Sequence, residues 1–255
     1  MDGKTCIIKK RLLIYLNYKV FSVDPIFIDK DVMSVITEDL SKALPQLKMK
    51  DYFRVKPKVL NTSDYVTFAQ NNENEFIGVL ASKIYTLSVI SFLHVTTIFI
   101  GNKYQGTRLF NHLWHSHFRE ILQINRDLPQ AIVLKTYNPI SYSLISKVSK
   151  RANSIFYPEL STNIAYSDNI QKQVKEIAAT IDPDSIFNFQ TGVFKNGAGN
   201  VPSDFYPNLP RIACKATMDY FNQYLIPSDR LLCCLFCEDF ETQEKVINQF
   251  KVYRN

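Results

Sequence analysis

The alternation of apolar and polar residues predicts regular secondary structure along most of the chain. In the N-terminal half it indicates one or two strands within 5–28, an amphipathic helix over 31–44, and two hairpin strands at 65–70 and 76–85. Beyond residue 157 it indicates helices at 168–181, 210–224 and 242–252, strands at 185–194 and 230–237, and a loop at 196–203. Helices and strands are interspersed, which is typical of α+β and α/β folds.

The most informative segment is a strand, a turn and a helix in the middle of the chain. The strand at 92–100 is rich in β-branched and aromatic residues, and it leads through the turn 101–108 into the helix. One face of this helix is apolar: Phe110, Leu113, Trp114, Phe118 and Ile121. A second strand at 131–137 and a second helix at 138–147 follow, so the sequence predicts two successive strand-helix units.

The turn has the character of a binding site for a phosphate group. Backbone N–H groups at the start of a helix have no partner within the helix, and they lie at the positive end of its dipole. Gly106 allows the backbone to approach a ligand closely, while Lys103 and Arg108 add two cationic side chains. The sequence therefore predicts a cradle for a pyrophosphate.

The same turn resembles the acyl-CoA signature of the GNAT superfamily of N-acyltransferases. That signature is Arg or Gln, two residues, Gly, one residue, Gly or Ala, and then a helix with a pair of leucines. With Gln105 at the first position, Leu113 and Trp114 occupy the leucine pair. Arg108 and Phe110 then stand where the family has small residues.

A second register starts at Lys103 and places Gly106 on the first glycine, but it disturbs the helical spacing, so the first register is preferred. In either register the resemblance implies that the turn binds acetyl-CoA or another acyl-CoA as co-substrate. The residues implied in this contact are Lys103, Tyr104, Gln105, Gly106, Thr107, Arg108, Leu109 and Asn138.

Neighbouring segments extend the resemblance. Residues 75–85 resemble the strand that precedes the family's acyl-CoA motif, and residues 131–138 resemble its second motif, a strand that ends in Asn. The resemblance implies a mixed central β-sheet flanked by helices. We therefore expect a GNAT-like acyl-CoA-binding core at 1–165 and a C-terminal α/β extension at 166–255 that packs on it.

Acyl transfer from a thioester to an amine requires that the amine lose a proton and that the departing thiolate gain one. The position of the family's usual tyrosine holds Ile145 here, and Tyr142 lies one turn earlier. Tyr142 is the candidate acid, and His94, in the strand before the turn, is the candidate base. Glu75 is an alternative base. Purely structural roles for Tyr142 and His94, as packed side chains, remain open.

Composition narrows the class of protein. The chain has 255 residues, 46% of them hydrophobic, and a formal net charge of +6. This charge suits an anionic ligand such as CoA but is too small for a nucleic-acid-binding protein, and the basic stretch 48–58 reads as solvated surface. Charged residues and a proline interrupt the apolar stretch 12–28, which predicts neither a membrane span nor a signal peptide. We therefore expect a cytoplasmic protein.

Cysteine and histidine clusters do not indicate a metal site. Three of the five cysteines lie in an apolar run that predicts a buried strand: Cys233, Cys234 and Cys237. Three histidines on the helix after the turn read as solvated or half-buried side chains, because no carboxylate or cysteine stands at ligand spacing: His112, His115 and His117. No metal is expected.

The leading hypothesis is an acyl-CoA-dependent N-acyltransferase that moves an acetyl or other acyl group directly to an amine of a small molecule or peptide. Because side chains replace the motif's glycines, a catalytically silent GNAT-like binding or interaction module is the alternative. An enzyme that uses an acyl-carrier protein as donor is a third possibility. The acceptor, the acyl chain length and the oligomeric state stay open at this point.

Overall fold

A computed structural model describes residues 9–15, 17–160, 164–206, 208 and 214–251. In chain order its strands are β1 (Lys9–Ile14), β2 (Tyr18–Val23), β3 (Tyr65–Asn71), β4 (Phe76–Thr86), β5 (Ser91–Ile100), β6 (Ala131–Thr136), β7 (Phe156–Tyr157), β8 (Ile186–Asn188), β9 (Val193–Lys195) and β10 (Arg230–Phe236). Its α-helices are α1 (Lys30–Ala43), α2 (Met49–Val55), α3 (Leu109–Asn125), α4 (Pro139–Ala152), α5 (Asp168–Ile181), α6 (Lys215–Tyr224) and α7 (Phe240–Phe250). The predicted fold class, a β-sheet flanked by helices, is confirmed.

The chain divides into two compact units. The first comprises Met1–Lys83, Val95–Leu128 and Ile247–Asn255, and the second comprises Ile84–His94 and Pro129–Val246. These units follow boundaries other than the expected division between 165 and 166, which stays a prediction.

The strands of the first unit lie in the order β1-β2-β3-β4-β5, although residues 84–86 of β4 and 91–94 of β5 belong to the second unit. The pairs β1-β2, β2-β3 and β3-β4 are antiparallel, and the register of the last pair shifts between Ala69 and Gln70. Helix α3 packs on this sheet in a small apolar cluster of buried side chains: Val20, Ala69, Ile77, Leu109 and Leu113. Ile100, the last residue of the strand before the predicted phosphate cradle, also packs against this cluster.

Helix α1 begins where the sequence provides a cap. The Asp29 carboxylate accepts hydrogen bonds from the backbone N–H groups of Asp31 (3.0 Å) and Val32 (2.9 Å). The helix buries the apolar stripe that predicts it: Val32, Ile36 and Leu40.

Helix α2 occupies the basic stretch 48–58, which the sequence predicts as solvated surface. That expectation is confirmed for the basic side chains, because Lys48, Lys50, Arg54 and Lys58 are exposed. Another face of the helix is apolar, and its Tyr52 and Phe53 are buried. The Tyr52 hydroxyl lies 2.9 Å from Thr97 Oγ1, and its ring packs edge-on against Phe99 of β5. The intervening lysines and arginine concealed this apolar face.

In the second unit the strands lie in the order β6-β10-β9-β8, and β7 also pairs with β10. All of these pairs are antiparallel. Every residue of β10 is buried, which confirms the buried strand predicted for the cysteine-containing run. Helix α5 covers the sheet through its apolar stripe: Ile170, Val174, Ile177 and Ala178.

The single strand expected at 185–194 is instead a short hairpin of β8 and β9. Its turn contains Gly192, whose φ of +65° lies in the left-handed region that favours glycine. The β-branched and aromatic residues on either side gave the appearance of one strand. Parts of three other predicted elements lie outside the described residues, at 5–8, 210–213 and 252.

No helix among the described residues combines the length and the apolar character that a bilayer-spanning segment requires.

Candidate functional site

The turn between β5 and α3 starts in a closely packed position. The N–H of Gly101 donates to the carbonyl of Ile77 (2.7 Å), and the N–H of Tyr104 donates to the carbonyl of Gly101 (2.8 Å). A Cβ added at Gly101 would lie 3.0 Å from the Cβ of Ala43 and 3.1 Å from the Ile77 carbonyl oxygen. The end of α1 therefore fixes where the turn begins.

Two side-chain amides join the turn to the segment after α1. Gln46 Nε2 donates to Asn102 Oδ1 (2.6 Å), and Asn102 Nδ2 donates to Gln46 Oε1 (2.5 Å). This reciprocal pair restrains the side of the turn that faces the α1–α2 connection.

Gly106 leaves open space at the centre of the turn. Its φ is +76°, and a Cβ built there would meet no atom within 4 Å. The N–H groups of Gly106, Arg108 and Phe110 have no acceptor among the described residues, whereas the N–H of Leu109 donates to Thr107 Oγ1 (3.2 Å). The turn thus presents backbone donors at the positive end of α3.

The side chains of the turn fall into two groups. Gln105 Nε2 donates to the last carbonyl of β5 (3.1 Å), and Thr107 Oγ1 donates to the Tyr104 carbonyl (2.6 Å), so both side chains stabilise the turn. Lys103 and Arg108 are exposed, and neither forms an ion pair within the part of the chain that the structure describes. These two cations are the groups available to a ligand.

Phe110 stands where the family motif has a small residue, but its ring is engaged elsewhere. It packs with Trp114 and Phe250, at centroid distances of 6.2 and 6.0 Å. The substitution therefore serves the packing of α3 against the chain's C-terminal helix residues.

Tyr18 and His112 form an uncharged pair beside the turn. The Tyr18 hydroxyl lies 2.7 Å from His112 Nδ1, and the Tyr104 ring packs edge-on against the Tyr18 ring at 6.0 Å. Burial, assisted by the charge of Arg108, lowers the pKa of His112 to about 4. Burial raises the pKa of Tyr18 to about 12. At neutral pH the positive charge of the site therefore comes from Lys103 and Arg108.

In the second unit, backbone groups hold Tyr142. Its hydroxyl donates to the Pro158 carbonyl (3.1 Å) and accepts from the Leu160 N–H (3.1 Å), and the residue is 3% exposed. Burial raises the pKa of Tyr142 well above its usual range. These contacts stabilise the segment after β7, and the role of Tyr142 as an acid stays a prediction.

Asn138, implied in CoA contact by the resemblance, caps helix α4. Its Oδ1 accepts from the Ile140 N–H (2.9 Å), and its own N–H donates to Thr136 Oγ1 (2.9 Å). Asn138 and Tyr142 share the first turn of α4, where the Tyr142 N–H donates to the Asn138 carbonyl (3.2 Å).

The two candidate bases lie in different units. His94 is half-buried on β5 in the second unit, with its ring 6.3 Å from the ring of Tyr85. Glu75 lies in the first unit at the β3–β4 turn, where it accepts from Asn71 Nδ2 (3.0 Å). The structure thus groups residues 103–109 at the turn before α3, and it groups Asn138 with Tyr142 at the start of α4.

Of the three histidines on α3, His115 is half-buried, but His112 is 6% exposed and His117 is fully buried, so the expectation of solvated or half-buried side chains is wrong for these two. His117 lies between two hydroxyl groups. Its Nδ1 lies 2.9 Å from Thr67 Oγ1, and its Nε2 lies 2.7 Å from Ser82 Oγ. The sequence held a signal for this position, because His117 follows the inward-facing Leu113 by four residues. Across the described ranges, no three His, Cys, Asp or Glu side chains are grouped so as to hold a metal ion.

No family model and no curated protein sequence matches the chain. Among solved structures, the chain is similar to an aminoglycoside acetyltransferase from an uncultured soil metagenomic sample in complex with trehalose. The identity is 14%, the match covers 59% of this chain and 95% of that chain, and the TM-score is 0.40. It is also similar to the CoA complex of a GNAT family N-acetyltransferase from Escherichia coli, with 14% identity, 56% and 69% covered, and a TM-score of 0.33. A third similar structure is the catalytic domain of a Tetrahymena histone acetyltransferase in complex with coenzyme A. The identity is 14%, the match covers 53% of this chain and 76% of that chain, and the TM-score is 0.36.

Proposed function

We propose that the protein is an acyl-CoA-dependent N-acyltransferase, which moves an acetyl or other acyl group directly to an amine of a small molecule or peptide. The observation that carries this proposal is the turn between β5 and α3. It combines backbone donors that have no acceptor in the described part of the chain, open space at Gly106, and the exposed cations Lys103 and Arg108 at a helix N-terminus.

A pyrophosphate matches this turn in both charge and hydrogen bonding. Its oxygens would accept from the N–H groups of Gly106 and Arg108, with the side chains of Lys103 and Arg108 beside them. A charge-assisted hydrogen bond contributes about 1.5–3 kcal/mol. The dipole of α3 adds about 0.3–1 kcal/mol for a nearby negative charge. The turn alone therefore provides a substantial part of the affinity for CoA.

The reaction itself needs little covalent participation by the protein. The amine attacks the thioester carbonyl carbon, the C–S bond breaks, and CoA leaves as a thiolate that gains a proton. We assign the removal of the amine proton to His94 and the protonation of the thiolate to Tyr142.

The second candidate function is a catalytically silent GNAT-like module. The observation that favours it is the Tyr142 hydroxyl, whose donor and acceptor are both engaged with backbone groups. A module of this kind would bind CoA at the turn, or fail to bind it, without transferring an acyl group.

Two measurements separate these functions. Isothermal titration with CoA, acetyl-CoA and longer acyl-CoAs should show saturable binding. A thermal unfolding scan should show that these ligands raise the melting temperature. Release of free thiol in the presence of a panel of amines measures transfer. Failure of a folded sample to bind millimolar CoA would overturn the acyltransferase proposal, and binding without thiol release would favour the silent module.

A further inference from the structure

The last turn of helix α7 packs on the helix that begins at the proposed phosphate cradle. Residues 247–250 of α7 belong to the first unit, and Phe250 is 2% exposed. Its ring packs with three aromatic rings of α3: Trp114 at a centroid distance of 5.3 Å, Phe118 at 5.5 Å and Phe110 at 6.0 Å. Asn111 Nδ2 also donates to the Gln249 carbonyl (3.4 Å). The end of α7 is thus attached along the first half of α3.

Phe110 belongs both to the cradle and to this aromatic cluster. Its backbone N–H is one of the donors of the turn that have no acceptor among the described residues. Its ring lies against Phe250 and, at 6.2 Å, against Trp114. Because both groups belong to the second residue of the helix, the packing of the ring restricts the position of the donor.

Other contacts hold the first turn of α3 only in part. Arg108, the residue before the helix, forms no capping hydrogen bond through its side chain within the described part of the chain. Thr107 Oγ1 accepts from the Leu109 N–H (3.2 Å), and the buried Leu109 side chain packs on the sheet. A weakly capped first turn depends on tertiary packing for its order. The contact between Phe110 and Phe250 supplies such packing.

We propose that Phe250 is a positioning residue of the phosphate cradle. It acts through the Phe110 ring, which holds the first turn of α3 and keeps the N–H groups of Arg108 and Phe110 arranged for a pyrophosphate. The large residue at a position where the GNAT motif has a small one then contributes to binding. The ligand in this inference rests on the proposed function, whereas the effect of Phe250 on the turn does not.

Phe250→Leu removes the ring and keeps a large apolar side chain in its place. The matched control is Phe68→Leu, because Phe68 is also fully buried in the first unit. Its neighbour Ala69 packs with α3, so Phe68 faces the other side of the sheet. Urea unfolding of the full chain verifies that both variants fold and records the loss of global stability in each.

Hydrogen exchange at the His112 amide, followed by NMR without CoA, reports on the first turn, because this N–H donates to the Arg108 carbonyl (3.0 Å). In Phe250→Leu the amide should exchange roughly two- to tenfold faster, which corresponds to the loss of one aromatic pair. CoA should bind more weakly by up to the same factor, since affinity falls with the fraction of molecules whose turn is formed. Phe68→Leu should change neither quantity.

Phe110→Ala tests the route of the effect. It removes a half-buried ring and introduces a residue that favours helix, so it should by itself reproduce the faster exchange and the weaker binding. If Phe250 acts through Phe110, adding Phe250→Leu to this variant should lower the urea midpoint further. His112 exchange and CoA affinity should then stay as they are in Phe110→Ala alone.

Equal His112 exchange in Phe250→Leu and the unchanged protein would overturn the proposal. Unchanged CoA affinity in Phe250→Leu, or additive effects of the two substitutions on exchange, would overturn it as well. Failure of the unchanged protein to bind CoA would instead overturn the acyltransferase proposal, and the exchange rates would still decide whether Phe250 holds the turn.

Discussion

The imidazole of His117 lies 2.7 Å from the hydroxyl of Ser82 in the buried core of the first unit. Its other ring nitrogen faces a second hydroxyl, that of Thr67, at 2.9 Å. Neutral partners compensate an imidazolium only weakly, and burial lowers the pKa of His117 to about 3. The folded protein therefore keeps this ring neutral.

Stability should decline in mild acid because of His117. The unfolded chain titrates this group near pH 6.5, so the contribution is fully present above that pH and is lost as pH falls toward 3. Between pH 6.5 and 4.5 the expected loss is about 2–3 kcal/mol. Urea unfolding at several pH values measures it. His117→Gln, which cannot titrate, should show a shallower dependence, and equal slopes would contradict this assignment.

Gly106→Ala should separate backbone strain from ligand contact. A non-glycine residue in the left-handed region costs about 1–2 kcal/mol, and the new Cβ would stand in the open space of the turn. We expect lower stability together with weaker CoA binding. Gly199→Ala is the control, because Gly199 has a φ of +57° and equally open surroundings in the other unit. It should lose similar stability and keep its CoA affinity. Equal CoA affinity of the two variants would show that Gly106 is not part of the CoA site.

Arg108→Ala should weaken CoA binding about tenfold or more, since it removes one charge-assisted contact to a phosphate. Calorimetry measures the change, and Arg151→Ala, at an exposed arginine of α4, is the control. If Arg108→Gly binds CoA more tightly than the unchanged protein, the side chain is an obstruction and the silent-module function gains support.

Tyr142→Phe distinguishes a structural role from a catalytic one. Removing the hydroxyl leaves the Leu160 N–H without its partner, which costs about 1–3 kcal/mol of stability. If Tyr142 is also the acid, kcat should fall by about 10²–10⁴-fold while CoA affinity stays nearly unchanged. Denaturant unfolding and thiol-release kinetics provide the two readings. Reduced stability with full turnover would assign the hydroxyl to structure alone.

Local signals explain what the sequence could predict. Helices α1 and α5 are long and periodic, and capping residues mark their starts: Asp29 and Ser167. The residues of the proposed phosphate cradle are contiguous in sequence, so its backbone donors and its cations could be recognised together. The partners of Tyr142 and His117 could not, because they are backbone groups beyond β7 and hydroxyls on β3 and β4. Such contacts arise only when distant segments meet.

Helix α1 reaches the base of the proposed phosphate cradle. Its last residue, Ala43, abuts Gly101, where an added Cβ would stand 3.0 Å from the Cβ of Ala43. A displacement of this end of the helix would therefore move the first residue of the turn and change the free energy of binding there. Thermodynamic linkage makes the effect equal in both directions, so bound CoA would in turn hold the end of α1 in place.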